Sequence, residues 1–259
     1  MTSPGIHAGE NNAKEINKVN PLMKTLLISF AIMASGILLA TRPARTDLDG
    51  AWKQTGSANA TVMLTIVDNY LMQTTYEASR FVSTRGGAWQ RSGDKLSLSV
   101  EFDTADSSRV GQVESYSVML KNGQLTLSGP AGVRTFANLD QPSDKTPLAG
   151  LWRITGRAND AGQIMTMQRG ARKTIKLLTG TRFQWAAINP QTRQFSGTGG
   201  GTYRFADGQY TETIDFFSRD NSRVGRSLTF TDTVSGSEWR HTGQSSTGGK
   251  VDEVWTREP

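Results

Sequence analysis

The stretch Lys95-Leu96-Ser97-Leu98-Ser99-Val100-Glu101-Phe102 decides the fold class. Apolar and polar residues alternate in it with a period of two, the mark of a strand with one buried face. On this reading Leu96, Leu98, Val100 and Phe102 share the inward face, and Ser97, Ser99 and Glu101 the other. Similar alternation, punctuated by glycine turns, fills the chain on both sides. Lys121-Asn122-Gly123-Gln124 bridges two such strands, and Asn-Gly is the strongest short hairpin signal. Ala206-Asp207-Gly208-Gln209 does the same further on. No helix-period segment of useful length follows residue 41. Short strands at close spacing predict an all-β fold. An up-and-down barrel suits the short hairpins, and its closure removes exposed sheet edges.

The strands belong to two copies of one unit. Leu48-Asp49-Gly50-Ala51-Trp52-Lys53 matches Leu148-Ala149-Gly150-Leu151-Trp152-Arg153. Thr84-Arg85-Gly86-Gly87-Ala88-Trp89 matches Thr198-Gly199-Gly200-Gly201-Thr202-Tyr203, and Ser108-Arg109-Val110-Gly111 matches Ser222-Arg223-Val224-Gly225. Three landmarks in one order define a tandem repeat. Residues 41–138 form the first predicted domain and 148–259 the second. Residues 139–147, with Pro142 and Pro147 among small polar residues, read as a linker. The predicted architecture is two tandem antiparallel up-and-down barrels.

Composition removes several chemistries. The 259 residues contain no cysteine, which excludes disulfides, thiol nucleophiles and Cys-ligated zinc. The only histidines are His7 and His241. The net charge is +6, but its signs are mixed along the strands and no basic run occurs, so no nucleic-acid partner is expected. Residues 41–147 hold 11 basic and 11 acidic side chains, and residues 148–259 hold 15 and 10, so the positive excess lies in the second copy.

Ahead of the repeat, Met23-Lys24 precedes an apolar run from Thr25 to Ala40. A positive residue, an apolar stretch and a small terminal residue fit a secretory signal. Residues 23–40 are therefore expected to direct export to the periplasm or the medium, with residues 1–22 an over-extended start. The run is short for a transmembrane helix. A membrane is a partner only if residues 25–40 stay attached as an anchor.

The Gly-x-Trp openings, Gly50-Ala51-Trp52 and Gly150-Leu151-Trp152, look like the start of lipocalin-type barrels. In those barrels the tryptophan plugs the base, usually against a basic residue late in the chain. The second copy adds Thr181-Arg182-Phe183-Gln184-Trp185, Gly199-Gly200-Gly201-Thr202-Tyr203, Tyr210-Thr211-Glu212-Thr213-Ile214 and Glu253-Val254-Trp255-Thr256-Arg257. Together these resemble a family of secreted bacterial lipocalin-like domains of unknown function. The resemblance implies barrels and export. It supplies no substrate, cofactor or catalytic residue.

Candidate site residues then come from the second copy. Period two places Tyr210, Glu212, Ile214 and Phe216 on the apolar face, so a carboxylate points inward and needs a partner. Arg182, Arg204 and Arg240 are the expected cations. Trp185, Tyr203, Tyr210 and Trp239 are candidates for an aromatic wall around an apolar or sugar-like ligand. The first copy carries Leu96 and Leu98 where the second has Tyr210 and Glu212, which predicts a leucine-filled first core. The candidate ligand set is Glu212, Arg182, Trp185, Tyr203, Tyr210 and Arg240. No metal or cofactor is called for, and His241 reads as a surface residue. Gly199-Gly200-Gly201 reads as a bulge at a barrel corner, because no helix follows to hold a phosphate. Three functions stay open: binding of a small apolar or amphipathic ligand, an envelope interaction module with filled barrels, and a carboxylate enzyme using Glu212 with Asp215. Period two sets that last pair on opposite faces.

Overall fold

The computed structural model describes residues 46–259 except Ala58. The expected export signal and residues 1–22 lie outside the described residues. Two eight-stranded antiparallel barrels follow one another along the chain.

The first barrel comprises β1 (Gly50–Gln54), β2 (Thr61–Val67), β3 (Tyr70–Glu77), β4 (Arg80–Ser92), β5 (Lys95–Asp103), β6 (Val113–Lys121), β7 (Gln124–Gly129) and β8 (Gly132–Asn138). Each strand pairs with the next, and β8 returns to β1. The second comprises β9 (Gly150–Ala158), β11 (Lys173–Leu178), β12 (Arg182–Asn189), β13 (Gln194–Ala206), β14 (Gln209–Phe217), β15 (Ser227–Ser235), β16 (Glu238–Gln244) and β17 (Lys250–Arg257). It closes through β17 on β9. A short extra strand, β10 (Ile164–Thr166), flanks β9.

Local chemistry explains the connections. Asn122 and Gly123 have φ of 52° and 72°, and Asp207 and Gly208 have 52° and 74°. Both pairs thus adopt the left-handed turn that matches strand twist. The shared Ser-Arg-Val-Gly landmark is a 3-10 turn between β5 and β6 (Ser107–Arg109) and between β14 and β15 (Asn221–Arg223). Asp106 and Asp220 cap these turns by accepting the Ser108 and Ser222 amides at 3.0 Å. The double glycines are bulges. Ladder register slips between Gly86 and Gly87 and between Gly200 and Gly201. A Cβ on Gly87 or Gly201 would be driven into the carbonyl oxygen of Ser99 or Thr213.

Those bulges correct one expectation. Phe102 and Phe216 do not continue the inward faces of β5 and β14. The extra residue at Glu101 and at Asp215 turns each ring to the outer face. Phe102 stacks with Phe195 at 6.2 Å, and Phe216 lies 5.2 Å from Tyr76 of the first barrel.

The outer faces so built join the barrels. Val67, Tyr70, Met72 and Phe102 pack with Leu151, Ile175, Leu177, Ala186 and Ile188 in one buried cluster. Beside it the Gln184 amide donates to Thr74 at 2.7 Å, Thr84 at 3.1 Å and Thr198 at 3.2 Å. The residues after the two Gly-x-Trp glycines are held reciprocally. Asp140 of the connecting segment accepts the Ala51 amide, and Asp68 of the first barrel accepts the Leu151 amide, both at 2.8 Å. Asp140 also accepts the Thr181 amide at 3.0 Å and the Thr181 hydroxyl at 2.7 Å. The connecting segment is therefore fastened to both barrels.

One end of each barrel is closed by its tryptophan. Trp52 and Trp152 are buried, and their indole N–H groups donate to the Leu48 and Leu148 carbonyls at 2.8 and 2.7 Å. Arg257 lies 4.1 Å over the Trp152 ring and donates to the Ala149 and Pro147 carbonyls. The register position that Arg257 occupies opposite Trp152 is held by Asn138 opposite Trp52.

Candidate functional site

The ladders place the two barrels in correspondence. The offset is 100 at Trp52 and Trp152, becomes 112 at Leu64 and Lys176, which face those tryptophans, is 114 from Arg85 and Gly199 to Leu125 and Trp239, and reaches 119 in the closing strands at Asn138 and Arg257. Most of the extra length thus falls between β9 and β11, where it forms β10 and the loop that follows.

A cavity of about 1140 Å³ occupies the second barrel and opens at the end opposite Trp152. Its middle is walled by Trp185, Gly199, Phe217 and Leu228, with Phe230 and Trp255 deeper. The register equivalents of Trp185, Gly199, Phe217 and Leu228 in the first barrel are Gln73, Arg85, Asp103 and Glu114. There Arg85 reaches Glu114 at 2.6 Å and Asp103 at 3.4 Å, and Arg109 adds weaker contacts to both. This ionic plug sits on a floor of Leu64, Leu96 and Leu98. What remains above it is a polar recess of about 370 Å³. Burial opposes the Glu114 charge, but hydrogen bonds from Tyr116 and Arg85 outweigh it and hold the carboxyl below its usual range. Burial and the Glu114 hydrogen bond push Tyr116 up to about 12.

In the second barrel polarity is reversed with depth. The positions of Leu64, Leu96 and Leu98 carry Lys176, Tyr210 and Glu212. Lys176 reaches Glu212 at 3.2 Å, and the Tyr210 hydroxyl donates to the same carboxylate oxygen at 3.0 Å. The ammonium lies 4.6 Å from the Tyr210 ring centre, 4.8 Å from Phe183 and 5.2 Å from Trp239. Three aromatic faces and one carboxylate thus surround a buried cation, an arrangement that offsets its desolvation. Burial drives the Tyr210 phenol well above its ordinary pKa, and the Glu212 charge adds to that.

The expected partners of Glu212 therefore need correction. Arg182 pairs with Asp215 at 2.7 Å, and Arg240 with Asp252 at 2.6 Å, both on the outer surface. Arg204 is exposed. Each arginine is adjacent to an inward aromatic residue (Phe183, Tyr203 or Trp239), so strand alternation turns it outward. Of the candidate set, Glu212 and Trp185 line the cavity. Tyr203 and Tyr210 pack 5.3 Å apart in the buried aromatic cluster, and Trp239 stands 5.8 Å from Tyr210. Asp215 points away from Glu212, as the period of two requires.

His241 is also corrected. It is 4% exposed, lines the cavity, and stacks 4.0 Å from Phe230. Its Nδ1 lies 2.9 Å from Asp232, which also accepts the Trp239 indole N–H at 2.8 Å. Asp232 is His241's register partner across β15 and β16, so the pair belongs to the ladder itself. Among the described residues no group of three or more His, Asp or Glu side chains is placed to hold a metal ion.

The rim is cationic. Arg157 lies near the end of β9, Arg169 and Arg172 lie on the inserted loop, and Arg219 and Arg223 on the β14–β15 connection. The cavity lining holds seven lysines and arginines against three carboxylates. No family model matches the chain, and no curated protein matches it either.

Proposed function

We propose that the chain is an exported lipocalin-like protein that binds a small apolar or amphipathic molecule in its second barrel, with residues 23–40 acting as the export signal. The observation that carries this reading is the unequal interior of the two barrels. One fold is plugged with Arg85, Asp103 and Glu114, while the other spends the same positions on Gly199, Phe217 and Leu228 around about 1140 Å³. That volume, with aromatic walls and few polar groups at mid-depth, suits a drug-sized or larger ligand. The first barrel then acts as a structural partner.

The plug itself provides the test. Gly199→Arg, Phe217→Asp and Leu228→Glu together install the first barrel's plug in the second. The parent protein is expected to bind an uncharged solvatochromic dye such as Nile red at one site per chain, and the triple variant to fold and bind none. Absence of dye binding by the parent, or undiminished binding by a folded triple variant, would refute the reading.

A further inference from the structure

We infer that the ligand of the second barrel is a single-chain amphiphile with an anionic head, a carboxylate or phosphate oxyanion held at the rim by Arg172 and Arg219. This deepens the binding proposal and rests on it. Three observations carry it, each independent of the cavity's size.

First, the rim has cationic capacity to spare. Arg157 pairs with Glu253 at 2.6 Å, Arg169 with Glu258, and Arg223 with Asp220 at 2.9 Å. Arg172 and Arg219 are exposed and have no carboxylate partner among the described residues. Arg219 is aimed rather than loose. Its Nε donates to the Ser196 carbonyl at 2.8 Å, and its guanidinium lies 5.8 Å from the Trp185 ring centre. The side chain lines the cavity, and among the described residues no acceptor takes its terminal nitrogens, so its planar fork is available to an oxyanion.

Second, the insertion that separates the copies delivers this charge. The first barrel's β1–β2 connection, residues 55–60, holds no basic residue. The longer second-barrel connection brings Arg169 and Arg172.

Third, the cavity is graded. Below the arginines come Trp185, Phe217 and Leu228, apolar surface for a chain. The polar groups further down already have partners, Lys176 with Glu212 and His241 with Asp232. An anion is thus attracted at the rim and finds no spare cation in the depths. A neutral molecule would leave Arg172 and Arg219 unused, and a cationic head would be repelled.

Displacement of Nile red by three sixteen-carbon compounds tests this on the intact protein. Hexadecanoic acid and hexadecyl phosphate should displace the dye at least roughly tenfold more tightly than hexadecanol, the gain expected of one charge-assisted contact. The advantage should shrink as salt rises. In the Arg172→Ala, Arg219→Ala double variant, with an unchanged melting midpoint as the folding control, the acid should lose most of its lead over the alcohol. Equal affinity of acid, phosphate and alcohol for the parent would overturn the anionic head while leaving the binding proposal standing. Failure of all three to bind, together with failure of the dye, would overturn both. A lead that survives the double variant intact would overturn the assignment to these two arginines.

Discussion

The two barrels share strand order, turn chemistry, bulges and base tryptophans, yet they distribute polarity in opposite senses along their axes. The first sets leucines at the bottom and closes over them with Arg85, Asp103 and Glu114. The second sets Lys176 and Glu212 at the bottom and lines the space above with Trp185, Phe217 and Leu228. The pair Leu98–Glu114 even becomes Glu212–Leu228, one carboxylate moved across one rung. An ionic layer thus occurs once in each barrel, and its depth decides whether the mouth is shut or open. The scaffold tolerates either placement because the layer is internally paired in both.

The comparison breaks most visibly at Arg85. Arg85→Leu leaves Glu114 and Asp103 buried without their main cation, and about 4 kcal/mol should be lost in chemical denaturation. The same variant changes the response to acid. Glu114 is held below its ordinary value of 4.5 in the folded protein. Its stabilisation is therefore complete above that pH and lost as pH falls through the lower folded value. Without Arg85 the acid transition followed by circular dichroism should move to higher pH. A variant as stable as the parent would show that the plug is ornamental.

A somewhat smaller effect is expected at the other floor. Glu212→Leu strands the Lys176 ammonium among aromatic rings and should cost about 3 kcal/mol. Adding Lys176→Leu recreates the leucine floor of the first barrel and should recover most of that loss, since apolar replacement of a whole buried pair is often neutral. A double variant no better than the single would show that the two floors are not interchangeable. Smallest is the base. Arg257→Ala removes a stacking cation and two hydrogen bonds to carbonyls, and a loss of about 1–2 kcal/mol is expected by calorimetry. The first barrel, with Asn138 at that position, shows that the fold closes without it.

These contrasts also mark what the sequence reveals and what it conceals. Alternation in Lys95–Phe102, the Asn-Gly and Asp-Gly turns and the three paired landmarks are enough to predict tandem antiparallel barrels, because each reflects backbone geometry. Glu212 is legible because its strand alternates cleanly from Tyr210 to Ile214, ahead of the bulge at Asp215. Lys176 is not. In Lys173-Thr174-Ile175-Lys176-Leu177-Leu178 the outward Ile175 and Leu177 are buried against the first barrel, so both faces of β11 need apolar residues and the inward lysine has no contrasting pattern around it. His241 is hidden for another reason. Its partner Asp232 is nine residues away in sequence and adjacent only through the β15–β16 ladder. The outward course of Arg182, Arg204 and Arg240 was available from the text of the chain, since each follows or precedes an inward aromatic residue. The plug is legible only after the register is known, because Arg85, Asp103 and Glu114 come from three strands.

The shared seam has a consequence for motion. The outer faces of β11 and β12 are pressed against the first barrel through Ile175, Leu177, Ala186 and Ile188. On the far side β15 presents Thr229, Thr231 and Thr233 to solvent. Buried strands open rarely, and exposed ones fray with little loss of packing. The second barrel therefore has a fixed wall and a pliant one. Amide hydrogens of β11 and β12 should accordingly exchange with solvent more slowly than those of β15.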